Sequence, residues 1–398
     1  MEYTVPEKRI NSIDALRGFA LFGILSFHCM EHFDLTFIPR LASPFWQQID
    51  HVVFETVSFL FAGKSYAIFS LLFGLSFFMQ MDSQAAKGSD FRGRFAWRMF
   101  LLFVLGYING LIYMGEFFVV YAILGLFLIP LYKVPTKWLV IISIILFLQL
   151  PDVVAFVSLL SNNVPNEPTQ AVSFMNELYE LCANIYIHGS LADVLEFNLW
   201  KGQAAKLLWI FNNSRYLQLI GLFILGMLIG RKGIHKSEEK MIFYSRKMLP
   251  YSIAVFAIFY LAVILLPHLG IEGFALRVGN TLFKMYANLG MMMMYICCFV
   301  LLYYKTGARK ALDKIAPVGR MSVTNYMAQS VMGVTLFYGF GANLAVQLSF
   351  LECFLLGILL YTIQIIYSNW WMNRFYYGPV EWVWRVCTRF HRIPLKRK

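Results

Sequence analysis

The stretch SIDALRGFALFGILSFHCMEHFD, residues 12–34, decides what kind of protein this is. Most of it is apolar over the length of a bilayer crossing, yet it holds Asp14, Arg17, His28, Glu31, His32 and Asp34. A charge near the middle of a bilayer costs at least a few kcal/mol, so ionisable groups on such a helix point to a function. Eleven positions separate Arg17 from His28. That is about three helical turns, which puts both side chains on nearly one face roughly 16 Å apart along the axis. Asp14 lies one turn before Arg17, and Glu31 and His32 lie one turn after His28. Leu21, Ile24 and Leu25 occupy the face between them, so Arg17 and His28 cannot bond directly.

The rest of the chain has the same character. Its 398 residues are 59% hydrophobic and 14% charged, with mean hydropathy +0.62. Soluble proteins carry roughly 25% charged residues. The apolar runs are continuous and about twenty residues long, as membrane helices require, rather than the short alternating strands of a barrel. The expectation is an all-α, polytopic integral membrane protein with about ten transmembrane helices. The apolar segments fall near 10–30, 55–79, 95–113, 117–132, 138–158, 215–230, 249–267, 281–303, 318–340 and 347–368. The first run is too long for a signal-peptide core and no small-residue cleavage site follows it, so a cleaved leader is not expected.

Charge orients these helices. The connections 80–98, 131–138, 231–248, 303–320 and the tail 369–398 hold 24 Lys/Arg and 6 acids. The alternate connections 31–55, 113–116, 151–214, 267–279 and 341–346 hold 4 Lys/Arg and 12 acids. The positive-inside rule places the first set, and with it both termini, in the cytoplasm. The net charge of +12 is then topology and attraction to anionic lipid, not nucleic-acid binding. Residues 1–368 read as one transmembrane domain with an extracytoplasmic helical insertion at about 159–214. Residues 369–398 read as a basic, aromatic cytoplasmic tail helix on the lipid surface. The insertion suits either interfacial helices over the outer face or a solvated loop. Six cysteines show no metal or redox spacing, and no metal is expected. No internal repeat is evident, which weakly disfavours an inverted-repeat transporter.

Beyond the first helix, the polar residues at depth are few. Lys64 and Tyr66 open the second apolar run, and Ser70 and Gly74 form a small-xxx-small pair suited to close helix approach. Ser322, Asn325, Gln329 and Gly333 recur as one polar stripe, suited to interhelical hydrogen bonding or to lining a ligand path. Arg94 and Arg98 enter the third segment from the cytoplasm, as topological anchors or as partners for phosphates. His51 and Glu55 lie one turn apart at the outer mouth of the second segment.

Five stretches carry a resemblance. The runs IDALRGFALFGILSFH, GKSYAIFSLLFGLSF, MGEFFVVYAILGLFLIPLY, IAPVGRMSVTNYMAQS and NRFYYGPVEWVWR resemble, in that order, the YeiB-like membrane proteins, long catalogued as a domain of unknown function. That family is similar to the transmembrane acyltransferases, which include the heparan-α-glucosaminide N-acetyltransferase and the membrane acyltransferases of family three. The resemblance implies acyl transfer from cytoplasmic acyl-CoA, such as acetyl-CoA, to a hydroxyl or amine of an extracytoplasmic saccharide or related acceptor. Family three carries Arg, ten residues, then His on its first helix, and Arg17 and His28 match that spacing. YeiB-like proteins usually have Asn at the His28 position. The heparan enzyme's catalytic histidine falls near Ser43 by offset, so His32 and His51 stand as alternatives to His28. On this reading His28 is the base or acyl carrier, Glu31 or Asp34 orients it, and Arg17 with Asp14 and Arg98 serves the donor side. Lys64, Tyr66, Ser70, Asn325 and Gln329 line the path. Expected partners are membrane lipids and the acceptor, with a homodimer open, in the bacterial cytoplasmic membrane of the cell envelope. A transporter or flippase for a small polar or lipid-linked solute is the alternative.

Overall fold

A computed structural model describes residues 10–35, 43–161 and 165–397; the first nine residues, and with them the expected position of the N-terminus, lie outside it. The described chain is helical throughout, apart from one isolated β-bridge between Phe375 and Lys396. In order the helices are α1 (Asn11–Met30), α2 (Pro44–Phe61), α3 (Ser65–Ala85), α4 (Arg92–Ile112), α5 (Phe118–Leu126), α6 (Leu128–Leu131), α7 (Thr136–Phe147) and α8 (Leu150–Leu160). Then come α9 (Gln170–His188), α10 (Leu191–Phe197), one π turn (Asn198–Gly202), α11 (Gln203–Asn212), α12 (Arg215–Arg231), α13 (Glu238–Leu265) and α14 (Gly273–Lys305). The last are α15 (Arg309–Leu312), α16 (Ala316–Arg320), α17 (Ser322–Phe337), α18 (Phe350–Arg374) and α19 (Pro379–Arg389).

Every expected apolar segment is helical, but the span count differs from ten. Seven stretches of the described residues are long and apolar enough to cross a bilayer, or eight if the bent pair 191–212 and 215–231 is one span. The shortfall has a local cause. At 16 residues, α17 is about 24 Å long, less than the ~30 Å of hydrocarbon. The α5–α6 segment is broken at Phe127, three residues before Pro130. At 17 residues α12 is also short, and it reaches spanning length only with the bent pair; the 136–160 stretch turns at Gln149, with φ +49°, but still counts as a span. The second span begins far earlier than expected, at Pro44, and turns at Gly63, whose φ of +78° an L side chain rarely adopts.

The buried centre is α1, with 67% of its apolar window inside the protein against 11% for α13 at the rim. It packs against α3, α16 and α18. The small residues act as packing points: Gly74 lies against the Phe223 carbonyl and Gly226 against that of Leu71, so a Cβ on either would meet backbone oxygen at 2.0 Å. That contact lets α3 and α12 touch along their backbones. The expected boundary at 368 falls inside α18, which runs on to Arg374.

Candidate functional site

Two polar regions lie at opposite ends of α1. At the end where its first residues and α19 line a shared space, a cavity of ≈ 1410 Å³ opens. Arg17, Arg98, Arg320, Arg385, Arg389 and Arg392 line it, with Lys87 and Arg94 near its mouth and Phe69, Phe73, Phe118 and Tyr121 among its apolar walls. Asp14 organises part of the basic wall. Its Oδ1 accepts from Arg17 Nη1 at 2.8 Å and its Oδ2 from Arg320 Nε at 3.3 Å. Arg17 Nη2 also donates to Ser76 Oγ at 2.6 Å. Two carboxylates, Asp14 and Glu381, face this many cations, so the cavity suits a multiply charged anion.

The tail helix closes the cavity. Trp384 Nε1 donates to the Arg98 carbonyl at 3.1 Å, and the Arg98 guanidinium lies 4.3 Å from the Trp384 ring. Trp97 Nε1 donates to the Cys387 carbonyl at 3.0 Å. Glu381 accepts from Val323 N at 2.7 Å, Thr324 N at 3.1 Å and Thr324 Oγ1 at 2.5 Å, which caps α17. Burial nonetheless raises its carboxyl above the ordinary range. The tail, read from sequence as a lipid-surface helix, thus packs against α4 and α17 and supplies three arginines to the cavity. Nothing in its amphipathic pattern separates lipid from protein as the surface it covers.

At the other end of α1, His28 Nδ1 lies 3.0 Å from Tyr113 Oη and 3.6 Å from Glu31 Oε2. The Tyr113 hydroxyl and the Gly115 N–H reach the Asp34 carboxyl. A carboxylate on the Nδ1 side favours the tautomer with the proton there, which leaves Nε2 as the basic nitrogen. His32, Phe33 and Asp34 all have positive φ, at 49°, 56° and 74°, so the chain reverses in a left-handed turn that brings Asp34 back to His28. Three consecutive non-glycine residues in that region store strain, which concentrates at functional sites. His28, Glu31 and Asp34 each place a donor atom within 4.8 Å of the others, a spacing that would also admit a divalent cation.

Asp34 lies beyond the end of α1. Burial, with the Glu31 charge second, pushes its carboxyl from 3.8 up to about 6. Its proton is therefore held to about pH 6 in the folded protein but only to about pH 3.8 in the unfolded chain. The stability this group contributes is greatest below pH 3.8, is lost as pH rises through 6, and is level above. Melting temperature should fall across pH 4–6, and Asp34→Asn should flatten that slope; an unchanged slope would remove Asp34 as its source.

The two regions do not connect openly. His28 is not among the residues lining the cavity. Along α4 the cavity ends near Leu102, and Tyr113 is eleven residues, about 16 Å, further on. That layer is filled by Tyr326, whose ring packs on Phe118 at 4.6 Å, by Asn109 bonded to Ser330 at 3.0 Å, and by Phe33, 5.3 Å from the Tyr113 ring.

The remaining sequence candidates lie elsewhere. His32 is fully buried between the rings of Phe337 and Phe350, at 5.7 and 5.6 Å. His51 is exposed on α2, outside the cluster. Tyr66 donates to Gln218 Oε1 at 2.6 Å and receives Arg215 Nη1 at 3.2 Å, and Ser70 Oγ pairs with Tyr121 Oη at 2.6 Å behind the cavity wall. Lys64 faces α14, away from the cavity. Asn325 and Gln329 join helices. Asn325 Nδ2 donates to Ser368 Oγ at 3.0 Å and Gln329 Nε2 to Gln364 Oε1 at 2.9 Å. A Gln329/Gln364 double-mutant cycle should therefore show a coupling of about 0.6–1.7 kcal/mol in stability, the range for such bonds in membranes. A coupling indistinguishable from zero would show that the amides are not glue. Tyr113 and Arg320 went unremarked in the sequence because one reads as a loop aromatic and the other as a topological anchor.

Comparison with known proteins completes the picture. Residues 9–175 match the family described as heparan-alpha-glucosaminide N-acetyltransferase, catalytic. Residues 229–391 match the family described as protein of unknown function DUF418. The protein named uncharacterized protein YxaH, from Bacillus subtilis, is 26% identical over 414 residues, covering 100% of this chain and 98% of that one. Uncharacterized protein YeiB of Escherichia coli is 26% identical over 403 residues, covering 95% of each.

Proposed function

We propose that this chain, which is similar to YeiB along 95% of its length and whose N-terminal part matches an acetyltransferase catalytic family, moves an acyl group, acetyl first among them, across a bacterial cytoplasmic membrane. The donor is cytoplasmic acyl-CoA. The acceptor is a hydroxyl or amine of an extracytoplasmic saccharide or related molecule. One observation carries this reading: a single buried helix holds Arg17 in an arginine-lined cavity at the basic end and His28 in a carboxylate–tyrosine cluster at the other. A donor inside and an acceptor outside require that separation. The excess of Lys/Arg in the loops at the cavity end supports a cytoplasmic placement for it.

In this mechanism the CoA phosphates lie against Arg98, Arg385 and Arg389, and the pantetheine arm runs along Phe73, Phe118 and Tyr121. The acceptor oxygen or nitrogen attacks the thioester carbonyl and gives its proton to His28 Nε2. The new C–O or C–N bond forms as the C–S bond breaks, and CoA leaves as a thiolate that regains a proton. Tyr113 and Glu31 hold the imidazole. The Tyr326–Phe118–Phe33 layer must part for the thioester to reach His28.

The test uses purified protein with radiolabelled acetyl-CoA and saccharide acceptors. CoA should bind, and the affinity should fall steeply with salt because the contacts are ionic. Arg98→Gln should weaken binding about tenfold, the loss of one charge-assisted contact of ~1.4 kcal/mol. Absence of CoA binding and of transfer, with solute uptake in vesicles, would replace this reading by a transporter.

A further inference from the structure

Lys64 is left unexplained by the acyl-transfer chemistry. It sits at the break between α2 and α3, 5% exposed, with Nζ 5.4 Å from the Phe59 ring. Among the described residues it forms no ion pair, and the charge whose field reaches its ammonium is another cation, Lys284 of α14. Lys284 is exposed and likewise has no ion pair among the described residues. Asn288, one turn along α14, presses its amide against Gly63, where an added Cβ would lie 2.3 Å from Nδ2. Glu55, one turn above Phe59 on α2, pairs with neither lysine. Lys64 also stands at the N-cap of the 21-residue α3, whose positive end adds to the field.

Two lysines drawn together without a carboxylate repel each other, and burying one of them adds a desolvation cost. An anion between them would relieve both. Its depth follows from the helix. From Lys305, in the basic group with Arg246 and Lys247, to Lys284 is 21 residues of continuous α14, about 31 Å. That is the thickness of the hydrocarbon core. With Lys305 at one headgroup boundary, Lys284 would reach the other. Phe59, the ring nearest the Lys64 ammonium, packs on Phe256 and Tyr260 of α13 at 6.0 and 5.5 Å. Beside it α13 exposes Ile258 and Leu261, at 64% and 53%. A phosphate at the lysines with acyl chains along that apolar face matches this layout.

We propose that Lys64, Lys284 and the Asn288 amide form a site for the phosphate of an anionic phospholipid, at the end of the bundle opposite the arginine cavity. The assignment does not depend on acyl transfer, and it gives this lysine pair a lipid rather than the donor as its ligand.

The experiment is photolabelling of the full chain in detergent with a photoreactive phosphatidylglycerol, read by peptide mapping and by the mass of the intact adduct. Label should fall on the peptides around 59–64 and 284–288. Lys284→Gln, at an exposed position, should cut labelling there about fivefold, equivalent to the ~1 kcal/mol of one lysine at a lipid surface. Lys64→Gln should cut it at least as much, and Lys64→Arg should retain it. Equal labelling of wild type and Lys284→Gln would overturn the site. No lipid adduct, with inorganic phosphate alone binding in a Lys64-dependent way, would overturn the lipid and leave a soluble anion.

Discussion

Replacing His28 with alanine should lower acyl transfer by about 100- to 10,000-fold, the range for losing a positioned general base, while CoA affinity changes less than about twofold. The separation is expected because His28 lies outside the cavity that would bind the donor. His28→Asn sharpens the test. The Asn amide can donate to Tyr113 as a protonated Nδ1 does but cannot take up a proton. It should be as impaired as alanine if proton transfer is the role of His28. Full activity in His28→Asn would make His28 a positioning residue and leave the base to be found elsewhere. His51 is the other sequence candidate that is open to solvent; loss of activity in His51→Ala with retention in His28→Ala would move the assignment there.

The largest stability effect is expected from Lys206. Its Nζ lies 3.8 Å from Glu116 Oε2, and both side chains are at most 4% exposed. Glu116 in turn accepts the N–H groups of Phe118 and Val119 and so starts α5. Burial, opposed by Lys206 and by those N–H groups, pushes the Glu116 carboxyl up to about 7. Removing the lysine leaves a buried carboxyl without its cation, a loss of about 3–5 kcal/mol when one partner of a buried pair is deleted. Lys206→Met should therefore lower the melting temperature in detergent sharply. Adding Glu116→Gln should recover most of the loss, since replacing both partners of such a pair is often close to neutral. If Lys206→Met alone melts like wild type, the pair contributes nothing.

That pair also shows what the segment 159–214 is. Its helices α9–α11 bury Leu178, Tyr186, Phe197 and Ile210. Tyr186 stacks on Tyr338 at 4.1 Å, and its carbonyl accepts from Gly339 N at 2.7 Å. Asn198 bonds the Leu111 carbonyl at 3.0 Å. These contacts fasten the segment over the end of α4 beside Tyr113, so it packs as part of the core rather than as a free loop.

Much of this was legible in the chain itself. Hydropathy and charge alternation determined an all-α, multi-pass membrane protein, because a bilayer demands long apolar helices and leaves basic loops on one side. The spacing from Arg17 to His28 determined that two polar groups share a face of one helix, because helical periodicity needs nothing from the rest of the fold. Tertiary structure decided what those groups meet. Asp14 faces Arg320, 306 residues away in sequence, and His28 faces Tyr113, 85 residues away; no local pattern encodes such partners. It decided that Asn325 and Gln329 bond α18 and the backbone of α1 rather than line a path, because an amide stripe looks the same in sequence whichever surface it meets. It also decided that the basic tail closes a cavity. Arginines in a terminal helix satisfy the positive-inside rule equally on lipid or on protein, and only the bonds from Trp384 to the Arg98 carbonyl and from Trp97 of α4 to the Cys387 carbonyl settle which.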